Sequence, residues 1–188
     1  MSPARKATYA DLVKVPDTLV AEIVDGELVA TPRPATPHAR TGIAMAAALF
    51  DRFDGPPGSP TAPGGWWILY EPELHFGDDV LVPDLAGWRR ARMPALGNVT
   101  AFRQAPDWAC EIISRRTARI DRGHKMRIYA REGVAHLWIV DPLARTIEVY
   151  RVEDGHWIVA ATHAGDGPIR AEPFDAVELD TARWWQLD

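Results

Sequence analysis

The sequence predicts an α/β fold of the α+β kind, a mixed β-sheet core flanked by helices, with a β-hairpin near its start and further strands near its end. Three observations lead there. Short runs rich in β-branched and aromatic residues alternate with two longer segments of helical spacing. Several of these runs are joined by strong turn signals, of which Asp25-Gly26 is the clearest. A chain of 188 residues with 47% hydrophobic and 25% charged residues fits one compact core, so residues 1–188 are read as a single domain.

Taken in order, TYADLVKVPD sets Thr8 three residues ahead of Asp11, the pattern of a short capped helix that Pro16 is expected to end. LVAEIVDGELVA is a hairpin turning at Asp25-Gly26. A helix follows from Pro37 to Phe53, with Thr36 as its expected cap and Pro37 at the first helical position. DGPPGSPTAPGG suits neither a helix nor a strand interior and is read as a loop. WWILYEPELHF and VLVPDLAGW flank Gly77-Asp78-Asp79 as a second hairpin. After the irregular RRARMPALGNVTAFRQAP, the apolar run DWACEIIS reads as a central strand. Residues Asp121 to Glu132 are predicted helical, with Met126, Tyr129 and Ala130 on one face and Gly133 as the stop. HLWIVD and TIEVYR form a hairpin turning at Pro142 to Arg145, and GHWIVAATH adds an edge strand.

Composition removes several classes of function. No run approaches the roughly 18 apolar residues of a membrane span, and MSPARKATYADLVK lacks the apolar stretch of a signal peptide, so a cytoplasmic protein without membrane attachment is expected. The lone Cys110 can neither close an internal disulfide nor begin a thiolate zinc site, and in WACEII it reads as a buried thiol. A net charge of -5 opposes nucleic-acid binding by bulk electrostatics, so any such site must be local. A local concentration does exist. Arg115, Arg116, Arg119, Arg122, Lys125, Arg127 and Arg131 fall in one stretch against the single acid Asp121, where phosphate oxygens could be neutralised. The same run also fits a basic helix face balancing acids elsewhere. The eight tryptophans are read as core and sheet-face residues rather than base-stacking platforms.

Two acids interrupt apolar strands: Asp84 in VPDLA and Glu111 in CEIIS. Carboxylates in such places are costly unless paired, and a divalent cation is one such partner. A structural reading stands beside it, in which Asp84 follows Pro83 in a bend and Glu111 pairs with an arginine.

AEIVDGELV, the His in TPHAR, VPDLAGW, DWACEIISRRTARIDRGHKMRIYAREGV and HLWIVDP, in that order, resemble the Uma-type restriction endonuclease family, a branch of the PD-(D/E)XK nuclease superfamily. The resemblance spans about Glu22 to Pro142. It implies a restriction-endonuclease-like fold in which Asp84 and Glu111, with the backbone carbonyl after Glu111, hold Mg2+ or Mn2+ for the hydrolysis of phosphodiester bonds, DNA being the implied partner. The superfamily's usual strand lysine, two residues after the glutamate, is Ile113 here. The Uma-type family implies a substitute from the following helix, Lys125, one turn beyond Asp121. An exposed ion pair between those two residues is the plainer alternative. Glu22 and His38 also match family positions, as auxiliaries that reach the metal or orient a water, and Arg115, Arg116, Arg119 and Arg122 are the implied phosphate contacts. The rival functions are an inactive nucleic-acid-binding module and a protein-interaction module on the same fold, and a homodimer stays open for each. On the nuclease reading, Lys125→Met keeps fold and metal affinity while lowering turnover.

Overall fold

The computed structural model describes residues 5–187. Helix α1 (Tyr9–Leu12) starts at Thr8, whose backbone N–H and hydroxyl both donate to the Asp11 carboxylate at 3.0 and 2.7 Å. It stops at Leu12, four residues before Pro16. Strands β1 (Leu19–Val24) and β2 (Glu27–Pro32) form the expected hairpin. Its turn residues Asp25 and Gly26 both take positive φ, 52° and 82°, as a primed two-residue turn requires. Helix α2 (Thr36–Phe53) begins one residue earlier than expected: Ala35 is its cap, Thr36 its first residue, and the Thr36 side chain does no capping.

The second hairpin is also present, but each of its arms is two strands in two sheets. The first arm divides into β3 (Trp66–Tyr70) and β4 (Leu74–Phe76), the second into β5 (Asp79–Leu81) and β6 (Leu85–Arg89). The inner pair β4–β5 joins β1 and β2 in a four-stranded sheet, ordered β2-β1-β5-β4. The outer pair β3–β6 belongs to a six-stranded sheet, completed by β7 (Trp108–Ile112), β8 (His136–Asp141), β9 (Thr146–Glu153) and β10 (His156–Ala164) in the order β10-β9-β8-β7-β6-β3. The crossings fall at Glu71-Pro72-Glu73 and Val82-Pro83-Asp84, where proline cannot supply a ladder hydrogen bond. Glu71, at a φ of 46°, donates its N–H to the Asp84 carbonyl at 3.0 Å and ties the two crossings together.

Strand β7 is central and buried throughout. It runs parallel to β8, and the connection between them is helical: α3 (Ala118–Ile120), one π-turn (Asp121–Lys125) and α4 (Met126–Arg131). The helix starts three residues before Asp121, and Gly133 at φ 79° ends it.

Alternation along β7 sorts two cores. Trp108, Cys110 and Ile112 pack beneath α2 with Met45, Leu49 and Phe53. Ala109 and Ile113 face the other layer with Ile128 and Tyr129 of α4, and strand periodicity turns Glu111 to that same side. Six tryptophans are buried as expected, with Trp67 and Trp157 half-buried. The segment carrying β11 (Pro168–Ile169) and β12 (Leu179–Asp180) closes the α2 side through Phe174, whose ring lies 4.7 Å from Phe53, 4.9 Å from both Trp66 and Trp108, and 5.7 Å from Trp138. Among the described residues no helix is long and apolar enough to cross a membrane.

Phe174→Ala removes the ring on which those four converge and should cost about 3–5 kcal/mol in urea unfolding, the usual range for a fully buried phenylalanine. A loss below about 1 kcal/mol would show that this segment unfolds apart from the rest.

Candidate active site

The β6–β7 ladder decides how the two acids meet. Leu85 pairs with Cys110 and Ala86 with Ala109 in antiparallel register, so the ladder continued by one step sets Asp84 opposite Glu111. Directly opposed residues share a sheet face, with Cβ atoms about 4.5–5.5 Å apart. Asp84 does sit in the bend after Pro83, just outside β6. Its Oδ2 accepts the Ile112 N–H at 2.6 Å, which fixes the carboxylate against β7. Both acids line one cleft of about 270 Å³ together with Glu22, His38, Arg116, Asp121 and Lys125.

Lys125 is only 2% exposed. Its Nζ lies 2.8 Å from Glu22 Oε1, 2.8 Å from Glu111 Oε1 and 3.7 Å from Asp121 Oδ1. The exposed Asp121 pair is therefore not what is found, and the partner of Glu111 is a lysine rather than an arginine. The π-turn contributes to this convergence. Residues four apart drift by about 40° per step around an α-helix, and the wider turn over Asp121–Lys125 takes part of that drift back. Asp121, Lys125 and Tyr129 thus stay turned toward the sheet. Tyr129, expected only on the apolar face of this helix, donates its hydroxyl to Glu111 Oε1 at 2.5 Å.

Glu22 comes from the other sheet. Its Oε1 accepts the Val82 N–H at 2.8 Å and forms the ion pair with Lys125. His38 arrives from the first turns of α2, which can lie close to the sheet because Gly42 has no Cβ: one there would stand 3.3 Å from Tyr70 and 3.4 Å from Ile112. His38 Nε2 is 3.1 Å from Asp84 Oδ1, while its buried Nδ1 has no partner among the described residues.

Four carboxylates meet one ammonium and one imidazole here. Burial pushes the Glu111 carboxyl well above its ordinary pKa; Lys125 opposes the rise, while Asp121, Glu22 and Asp84 add to it. Asp121 is raised chiefly by burial, against Lys125. For Lys125, burial alone would lower the pKa, and the carboxylates of Glu111 and Glu22 outweigh it, holding the ammonium charged. For His38, burial is likewise outweighed by Asp84, and the imidazole is raised.

The basic run divides. Arg116 borders the cleft. Arg122 pairs with both oxygens of Glu148 at 2.5 and 2.7 Å, Arg127 with Asp25 at 2.7 Å, and Arg131 with Asp79 at 2.9 Å. These three balance acids elsewhere, and Arg122, expected at a phosphate, has its guanidinium fork already taken up. Arg115 and Arg119 are exposed and do not line the cleft.

Residues 7–182 match the family model described as "Uma2: Putative restriction endonuclease". The chain belongs to this family. Its fold is shared with a crystal structure from Anabaena variabilis ATCC 29413 described as "a putative nuclease belonging to DUF820", at a TM-score of 0.74 and 20% identity, over 95% of this chain and 97% of that one. At that identity the likeness carries the restriction-endonuclease-like architecture. No curated protein matches. Within the Uma2 chain, Ile113, which the resemblance sets where the superfamily's lysine is expected, is buried in the apolar layer beneath α4.

The burial of Lys125 changes what its substitution does. Lys125→Met leaves Glu22 and Glu111 facing each other without a counter-charge, so the metal-free protein should lose about 3–5 kcal/mol of stability, rather than keep its fold unperturbed. Adding Glu22→Gln to that variant should return part of the loss in urea unfolding at neutral pH. A single variant as stable as wild type would mean the cluster is solvated.

Proposed function

We propose that this chain is a metal-dependent nuclease hydrolysing phosphodiester bonds in DNA. The observation that carries the reading is the opposition of Asp84 and Glu111 across β6 and β7, with the Lys125 ammonium against one of them.

The donor set fits a hard divalent cation. Oxygen donors from Asp84, Glu111 and the Ile112 carbonyl suit Mg2+ or Mn2+, and the surplus of carboxylates over cations lining the cleft supplies the negative field a cation needs. Among the described residues no three His, Cys, Asp or Glu side chains are grouped closely enough to cage a metal. Magnesium keeps several waters and takes one or two carboxylates, so Asp84 and Glu111 suffice for it. When bound, the ion supplies Lewis-acid stabilisation of charge on the phosphate.

The chain's own groups supply the rest. The Lys125 ammonium donates hydrogen bonds to the attacking water and orients it. Held charged between two carboxylates, it is a donor and not the base that accepts the water's proton. Glu22 fixes the lysine in place from the opposite sheet, Asp121 lends it a more distant counter-charge, and His38 orients Asp84. Arg116 at the cleft border contacts a phosphate of the bound strand.

Supercoiled and single-stranded DNA should both be offered with Mg2+ or Mn2+, with EDTA as control. Wild type should cleave only with metal. Asp84→Asn should lose at least about 100-fold in turnover and bind metal more weakly in calorimetry, since several kcal/mol of charge stabilisation depend on the ion. Metal binding without cleavage under any condition would favour a binding module. Arg116→Ala should weaken DNA binding and lower the salt slope by about 1, the share of one phosphate contact, whereas Arg122→Ala should leave the slope as it is. Equal slopes for Arg116→Ala and wild type would remove Arg116 from the binding surface.

A further inference from the structure

We propose that Tyr129 is a positioning residue, whose hydroxyl holds the Glu111 carboxylate at the angle that presents its second oxygen to the divalent cation. The inference rests on the metal-dependent reading of the same cleft and goes beyond it, because it assigns work to a side chain that does not itself line the cleft.

Tyr129 is fully buried in the apolar layer between α4 and the sheet. A phenylalanine would meet the packing requirement there without bringing a polar atom into the core. A buried hydroxyl is costly unless it is hydrogen-bonded. Here its partner is the Glu111 side chain rather than a nearby backbone carbonyl, with the hydroxyl donating to Oε1.

The direction of that bond matters. Tyr129 and Lys125, four residues apart on the same helical segment, meet at Glu111 Oε1: the hydroxyl donates to it at 2.5 Å and the ammonium forms an ion pair with it at 2.8 Å. Glu111 Oε2 has no hydrogen-bond partner among the described residues, yet it is not among their sealed, unpartnered atoms. It is thus the oxygen left for the cleft that Glu111 lines. One donor alone would let the carboxylate swing about its terminal torsion, which is soft and roughly two-fold. A donated hydroxyl and an ion-paired ammonium on the same oxygen hold the plane. The remaining lone pairs then face the position that Asp84 faces from across the ladder. This is how groups behind a metal ligand act: they orient it, and their loss lowers metal affinity without removing any ligand.

The test is Tyr129→Phe, which deletes the hydroxyl and keeps the ring. Mg2+ and Mn2+ titrations by calorimetry, urea unfolding in EDTA and DNA cleavage should be measured on wild type, on this variant and on Ile128→Val. The last is a packing control on the same helix, buried to 1% exposure and with no polar group to offer Glu111. We expect Tyr129→Phe to fold in EDTA and to bind metal about 10- to 100-fold more weakly, with turnover recovering as metal is raised toward saturation. Ile128→Val should lose some stability and keep wild-type metal affinity. Wild-type affinity in Tyr129→Phe, whether or not its stability falls, would overturn the assignment and leave the nuclease reading standing. An equal loss of affinity in Ile128→Val would overturn it too, by making the effect one of general loosening. Absence of metal binding in wild type would overturn the nuclease reading and this inference together.

Discussion

An ammonium ion removed from water is tolerated only where its surroundings return what hydration supplied, and the arrangement around Lys125 is organised by that requirement. Three layers contribute: Glu22 from the four-stranded sheet, Glu111 from the centre of the six-stranded sheet, and Asp121 from the lysine's own helix. None of the three acids could be buried at this depth without the lysine, nor the lysine without them. The cluster therefore works as a joint. It pins the N-terminal hairpin, through Glu22, to the helix that follows β7, and it holds the acids in one place.

The sheet crossings give that joint its geometry. Because β3 and β6 lie in one sheet while β4 and β5 lie in the other, the chain passes from layer to layer at Glu71-Pro72-Glu73 and again at Val82-Pro83-Asp84, and the Glu71 N–H bond to the Asp84 carbonyl brings both crossings to Asp84. The second crossing leaves Asp84 just beyond the ladder, near enough to oppose Glu111 and loose enough for its oxygens to take the Ile112 N–H and His38. An aspartate one residue further into β6 would replace Leu85, which packs beneath α2 on the opposite face.

Features with a local cause were legible in the sequence. The hairpin at Asp25-Gly26, the buried run of β7, the turn between β8 and β9 and the Gly133 stop each rest on residues within a few positions of one another. Features settled by tertiary contact were not. Ala35 rather than Thr36 caps α2, and a four-residue α1 gives way well before Pro16. The division of one hairpin between two sheets has no periodic signal, since each arm continues in the same strand-like pattern on both sides of its proline. At the site, Asp84, Glu111 and Lys125 could be named from their motifs, and Glu22 and His38 came with them. The pairing of Glu22 with Lys125 joins residues more than a hundred positions apart, and the commitment of Arg122 to Glu148 depends on which strand lies beside the helix. Charge counting along a sequence cannot tell a phosphate contact from an arginine already matched.

Phe174 bears on the order in which the molecule can assemble during synthesis. Every residue of the layer beneath α4 precedes position 158 in the sequence, so that half of the interior is complete once β10 has begun. The layer beneath α2 also needs Ala171, Phe174, Leu179, Trp184 and Trp185, which emerge from the ribosome after the rest of that layer. Until they do, Trp66, Trp108 and Trp138 lack the ring that covers them, and the nascent chain carries a sticky aromatic surface of the kind that chaperones recognise. The acid and lysine cluster sits on the half that closes first.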